Sequence, residues 1–164
     1  YSALQFSQNT DLYFELAHPD AWSDDSNPDS EDSSATDIGT AIGFKKADQV
    51  LLVYDGGVTT ETTDTTGYIV YGGHKWITSS TSDAYTNNAH YVLLTATIAA
   101  TDLPAFTYRQ LGIRKGTTFA SSIMGTVASA ANVTDKGVLW FYENKTPRNH
   151  TTDAKLVLKY VISC

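Results

Sequence analysis

The sequence predicts an all-β protein, an antiparallel two-sheet β-sandwich with long polar loops. Three observations carry that prediction. The 164 residues contain seven to nine short segments that either alternate apolar and polar or form compact runs of β-branched and aromatic residues. No segment of 12 or more residues holds a clean 3.6-residue period, and neither heptads nor a repeat of 20–50 residues is present. Between the apolar segments lie stretches rich in Ser, Thr, Asp and Asn, the residues of turns and exposed loops. The length fits one domain or at most two small ones, with a core that needs no covalent staples, and the chain is read as a single domain, residues 1–164.

Each element has its own warrant. Ala3-Leu4-Gln5-Phe6 is a first apolar run, and residues 12–17 read as a strand ending at His18-Pro19-Asp20, where proline removes a ladder donor. Trp22 stands at the root of an acidic loop, residues 20–37, and is expected to pin it to the core. Residues 37–44 are small and apolar, a connector or short helical turn. Residues 49–54 form a buried strand closed by Asp55-Gly56-Gly57, and residues 59–66 have little to bury and make an exposed excursion. Residues 68–71, the Gly72-Gly73 pair and residues 75–77 read as strand, turn and strand. After the polar residues 79–88, residues 90–98 give the longest strand signal. Residues 105–115 resume with Phe106, Tyr108 and Leu111 inward and Arg109 outward. Residues 117–136 read as a loop crossing the sheet edge, with Ile123, Met124 and Val127 able to pack.

The C-terminal third has the clearest pattern. Val138, Trp140 and Tyr142 fall on one side of a strand and Leu139 and Phe141 on the other. Leu156, Leu158, Tyr160 and Ile162 alternate with Lys155, Val157 and Lys159. The two segments are expected to pair near the centre of a sheet, joined by a protruding polar loop, residues 144–153, that carries Pro147.

Charge narrows the function classes. The net charge is −7, but residues 1–44 hold nine acids and no Lys or Arg, whereas residues 45–164 hold nine acids and all 11 bases, giving −9 and +2. No basic stripe exists, which argues against a nucleic-acid partner and for a basic protein surface as the complement. The plain alternative is that the acids only solvate a loop. The single Cys164 permits no disulfide within the chain, and no apolar run of about 18 residues offers a membrane span. No charged-then-apolar leader precedes the first strand, so a soluble protein is expected, and the first residue is Tyr1 rather than Met.

The chemistry-bearing residues do not converge. His18, His74, His90 and His150 show no metal-ligand spacing, and neither a nucleophile elbow nor a phosphate-cradling glycine loop is present. The acids Asp20, Asp24, Asp25, Asp29, Glu31 and Asp32 lack the glycine and terminal glutamate of a helix-loop-helix calcium site. Gly112-Ile113-Arg114-Lys115-Gly116 is basic and glycine-flanked but lacks the spacing and the Ser or Thr of a phosphate site. Glu15 and Glu143 are the acids placed on strands, read as strand-end charges rather than a hydrolytic pair. Asn132, Asn144 and Asn149 open matches to the glycosylation pattern, which arise readily in a threonine-rich chain. No catalytic residue, metal or cofactor is expected.

Two motifs carry a resemblance. Residues 12–28, an aromatic strand running into Trp22-Ser23-Asp24-Asp25-Ser26-Asn27-Pro28, resemble the opening of baseplate wedge proteins of contractile-tailed bacteriophages. Residues 137–148, with Glu143-Asn144-Lys145-Thr146-Pro147-Arg148 ahead of a last apolar strand, are similar to that family's close. The closing loop departs from the family pattern, with Lys145 in place of Arg and residues 149–154 where the family tends to carry Asp-Gln-x-Glu. The resemblance implies a non-enzymatic virion component of the tail baseplate, assembled in the host cytoplasm in several copies per particle, with a homodimer as one arrangement. It also implies contacts with other wedge subunits and with tail-fibre attachment proteins.

Joined to the charge pattern, this assigns partner binding to Trp22, Asp24, Asp25, Asp29, Asp32, Asn144, Lys145 and Arg148. A second reading is a carbohydrate-binding β-sandwich module using Trp22, Tyr54, Tyr68, Tyr71, Trp76 and Tyr85 as aromatic platforms, and a third is a hydrolase.

Overall fold

The computed structural model describes residues 2–164, whose regular structure is almost entirely strand. A five-residue helix, α1 (Ala3–Ser7), precedes β1 (Leu12–Ala17), β2 (Ala41–Lys46), β3 (Gln49–Val58), β4 (Ile69–Tyr71), β5 (His74–Thr78) and β6 (Tyr91–Ile98). There follow β7 (Phe106–Lys115), β8 (Thr118–Phe119), β9 (Val127–Ser129), β10 (Val133–Asp135), β11 (Val138–His150) and β12 (Leu156–Ser163). They form one five-stranded sheet in the order β11-β7-β1-β2-β9, a second in the order β12-β6-β3-β5-β4, and a two-stranded ribbon, β10-β8. The first sheet is antiparallel throughout, as is β6-β3-β5-β4 of the second. The all-β, antiparallel class read from the sequence is therefore what the chain adopts.

The chain divides into two compact units. One comprises Asp11–Ala47 and Thr97–Val157 and carries the first sheet. Its middle strands are covered on both faces: β1 buries Leu12, Phe14, Glu15, Leu16 and Ala17, and β7 buries every residue from Tyr108 to Arg114. Gly112 lies in the centre of β7, where an added Cβ would come within 3.0 Å of Ile38 and 3.2 Å of Leu139. The missing side chain is what lets those two residues close over the strand.

The other unit comprises the N-terminal residues through Thr10, Asp48–Ala96 and Leu158–Cys164. Its centre is Val53, Trp76 and Leu93, with Leu51, Ile69, Tyr71, Tyr91 and Val161 packed around them. Lys159 of β12 reaches the carbonyl of Val70 at 3.0 Å and the Asp64 carboxylate at 2.8 Å, so a lysine ties the first strand of this sheet to the last. Helix α1 is held by a capping box in which Ser2 and Gln5 bond each other's backbone N–H, both at 3.2 Å, while Ala3 and Phe6 are buried.

Several expectations need correction. Residues 138–150 and 156–163 do not pair centrally: β11 ends one sheet and β12 ends the other. The protruding loop expected at 144–153 is largely strand, because β11 continues to His150 and absorbs Thr146-Pro147 in an irregularity between Asn144 and Arg148. Proline fits there because the bulged backbone needs no ladder donor. The stretch read as a connector contains β2, and β3 runs through Asp55-Gly56-Gly57 to Val58. Residues 117–136 hold three short strands, and Met124 is 94% exposed. Arg109 is buried rather than outward, and Glu15 is a fully buried mid-strand residue rather than a strand-end charge.

Candidate interaction surface

Residues 18–40 leave β1 and return at β2 without regular structure, yet they are fastened to the sheet along their length. His18 adopts a positive φ of 64°, which turns the chain out of β1, and its N–H donates to the Thr40 carbonyl at 2.9 Å. Its ring stacks on Trp22 at 3.9 Å between centroids, and the Trp22 indole Nε1 donates to the Lys145 carbonyl at 2.8 Å. The tryptophan thus pins the loop root, as its isolation in the sequence implied, and it does so on the edge strand β11.

Arg109 forms the next fastening. Its Nε and Nη2 donate to the two oxygens of Asp25 at 3.0 and 3.2 Å, and Nη1 donates to the Pro19 carbonyl. This fork geometry suits a guanidinium and not an ammonium. Arg109, together with the Trp22 N–H at 2.8 Å, holds the Asp25 carboxyl below the usual aspartate range. Further along, the Asn144 N–H donates to Glu31 Oε1 at 2.9 Å and the Asn144 amide to the Asp29 carbonyl at 2.8 Å. The Tyr142 hydroxyl accepts from the Asp32 N–H and donates to the Asp32 carbonyl. Gln110 accepts from the Gly39 N–H at 2.7 Å and donates to Asn144 at 2.9 Å. The loop consequently satisfies backbone groups on the outer edge of β11 that would otherwise invite another strand.

Arg114 closes the segment. Its Nε donates to the buried Glu15 Oε1 at 2.6 Å, Nη1 to the Gly137 carbonyl at 3.2 Å, and Nη2 to Asp37. Burial pushes the Glu15 carboxyl above its ordinary value, against the hydrogen bond and charge of Arg114. Partial burial also opposes ionisation of Asp37, but the Ile38 N–H, Arg114 and Lys136 together hold it below the usual range.

These bonds leave a defined set of outward groups. Of the seven acids in residues 20–37, Asp25 pairs with Arg109 and Asp37 with Arg114 and Lys136. The other five, Asp20, Asp24, Asp29, Glu31 and Asp32, form no ion pair among the described residues and are exposed. Asp24 and Asp32 each cap a short turn, accepting from the N–H and hydroxyl of Ser26 and Ser34.

Of the eight residues assigned to partner binding, the fold brings Trp22, Asp29, Asn144 and Lys145 into direct contact, and Asp24 and Asp32 lie on the same strapped loop. Asp25 turns inward to Arg109, while Arg148 is exposed on β11 opposite Tyr108. The residues that hold the loop, Arg109, Gln110, Arg114 and Tyr142, were not singled out by sequence; two arginines, Arg109 and Arg114, flanking the apolar Leu111-Gly112-Ile113 run within one strand were the available signal. Of the aromatic platforms, Trp22 and Trp76 are buried and Tyr71 packs on the apolar cluster, while Tyr85 is 98% exposed.

Comparison with known proteins supplies the identity that geometry alone does not. The whole chain, residues 1–164, matches the family described as "Baseplate wedge 3 tail fiber network component". Virion protein 3 of Enterococcus phage phiEF24C is 30% identical over 166 residues, covering 99% of this chain and 90% of that protein. Both agree with the resemblance carried by residues 12–28 and 137–148. The chain therefore belongs to the baseplate wedge 3 tail fiber network component family and is a structural protein of a phage virion.

Proposed function

We propose that this protein is a subunit of the baseplate wedge of a contractile phage tail and works by being gripped by its neighbours. The contact surface is the strapped acidic loop, residues 20–37, together with Asn144, Lys145 and Arg148 on β11. The observation that carries the reading is the fixed loop with unpaired acids. Five exposed carboxylates without an ion pair among the described residues lie on a segment held by Asp25 to Arg109, by Glu31 and the Asp29 carbonyl to Asn144, and by Asp37 to Arg114. A surface held in one conformation loses little entropy on docking, so its charge complementarity goes into affinity and orientation. Each stable contact of this kind buries about 800 Å² per partner.

The neighbours on this reading are other wedge subunits and tail-fibre attachment proteins presenting basic surfaces, with several copies of the chain per particle and assembly in the host cytoplasm. Crosslinking mass spectrometry on purified particles tests it. Links from residues 20–37 and 144–150 to other baseplate chains are expected; a protein absent from particles, or linked only through other surfaces, would sink the proposal.

A further inference from the structure

Beside the loop, the first half of β11 borders an open groove of about 350 Å³ lined by Leu139, Trp140, Phe141 and Tyr142, with Glu31 and Asp32 on its other wall. β11 is the edge strand of its sheet, so residues from both of its faces can border a groove that runs along it. Leu139 pairs with Arg114 and Phe141 with Ile113, so Trp140 is an extra residue in the ladder, and its ring already has Lys115 Nζ at 5.6 Å from the centroid. Bulges of this kind re-aim side chains. Phe141 is 37% exposed and the neighbouring Val138 63%, apolar surface that marks a contact.

We infer that this groove receives an arginine side chain carried by an extended segment of another protein. Two features select that occupant. Aromatic rings attract cations held near their faces, and a planar guanidinium both stacks on them and forks to carboxylates. Glu31 and Asp32 are oriented for this: Glu31 uses Oε1 for the Asn144 N–H, and Asp32 uses Oδ1 for Ser34, leaving one oxygen on each with no bond among the described residues. A second copy of this chain fits less well, since a twofold contact through the groove sets acidic loop against acidic loop. The volume sits at the low end of the roughly 300–1,000 Å³ of ligand pockets, room for a side chain and its neighbours. The baseplate reading enters only in saying which polypeptide brings the arginine.

The test uses the intact protein labelled with 15N, whose indole N–H resonances come from Trp22, Trp76 and Trp140. Titration with acetyl-Leu-Arg-Leu-amide is expected to move the Trp140 signal saturably while Trp76, in the apolar cluster, stays in place. The citrulline counterpart, without the charge, should bind about tenfold more weakly, and the Glu31→Gln/Asp32→Asn variant should lose about tenfold toward the arginine peptide. The amides keep the acceptor oxygens that Asn144 and Ser34 use, so the loop stays strapped. A still Trp140 signal, or equal binding by the citrulline peptide or by the variant, overturns the inference. If such a failure accompanies baseplate crosslinks elsewhere on the loop, the proposed function survives it; if the peptide binds at Trp140 but the protein is absent from particles, the groove stands and the baseplate role falls.

Discussion

The two units solve the same problem, a five-stranded antiparallel sheet, with opposite interiors. The unit holding β3, β5 and β6 is centred on Val53, Trp76 and Leu93, and Ser79 is its one buried polar residue among those described. The unit holding β1, β7 and β11 buries Glu15, Lys45, Arg109, Gln110, Arg114, Thr117 and His150. Hydrophobic packing is not directional and cannot hold a polar loop in one place, whereas buried guanidinium and amide groups can, because each must find its partners. The polar interior lies under the acidic loop and reaches it through Arg109, Gln110 and Arg114. The difference teaches that the second unit gives up a simpler core in exchange for a fixed surface.

The hardest test of that contrast is to remove one charge from the polar interior. Arg114→Leu takes from Glu15 its ion-pair partner in a site where its side chain is 0% exposed, and it leaves Asp37 paired with Lys136 alone. Breaking a buried pair from one side costs about 3–5 kcal/mol, whereas replacing both partners with apolar residues is often neutral, so Glu15→Leu/Arg114→Leu should recover most of the loss. Equilibrium urea denaturation checks both. Their pH dependence has a definite sign. Burial raises the folded pKa of Glu15 above 4.5, so its contribution to stability falls as pH rises through that raised value. Asp25 and Asp37 are held below 3.8, so theirs is present above that value and lost as pH falls through their lowered folded values. The protein should therefore be most stable on the acid side of neutral, and Glu15→Gln should flatten the neutral limb. The Arg114→Leu deficit should shrink as pH falls through the raised pKa of Glu15, since a neutral Glu15 no longer needs the guanidinium.

A cut of similar kind in the apolar unit gives the comparison its other arm. Leu93→Ala removes a fully buried side chain from the cluster around Val53 and Trp76 and should cost about 3 kcal/mol, with no pH dependence of its own. We propose that residues 1–164 fold as a single cooperative domain, so this variant and Arg114→Leu should each lower one common transition in calorimetry. Two separable transitions, each moved by one variant, would break the proposal and make the units independent.

The contrast also explains what the sequence disclosed. Apolar strands are legible because burial leaves a period: residues 12–17, 68–77, 90–98 and 105–115 all became strands close to their expected bounds. The acidic loop was legible through composition, and Trp22 through its isolation. What escaped was pairing. Nothing local says that Arg109 meets Asp25 across 84 residues, or that Arg114 meets Glu15 across 99. Charges on a strand read as solvent-facing until a long-range partner buries them. Residues 144–150 were misread for a related reason, since a proline in a polar run signals a loop unless a bulge accommodates it, and the bulge follows from β7 alongside.

A milder change asks whether the strap is local. Trp22→Phe keeps the stacking on His18 but removes the donor to the Lys145 carbonyl, for an expected cost of about 1–2 kcal/mol. Hydrogen exchange should rise for amides of residues 22–34 and at Asn144 and leave β3, β5 and β6 unchanged. Equal acceleration in the apolar unit would mean that the loop supports the whole fold.

The smallest effect on folding should come from the acids that the strap leaves alone. Asp20 and Asp29 are exposed, and their carboxylates make no hydrogen bond or ion pair among the described residues, although their backbone carbonyls do. Asp20→Asn/Asp29→Asn should leave the melting temperature nearly unchanged, because no desolvated partner is orphaned. Asp25→Asn should lower it, because Arg109 would keep its burial and lose its counter-charge. Incorporation into particles should rank the other way: the Asp20/Asp29 variant competes poorly with wild type despite normal folding, and raising the salt narrows the gap by screening the difference. If the well-folded variant assembles as efficiently as wild type at low salt, the outward charge is mere solvation, and the polar interior fixes a loop whose acids no partner reads.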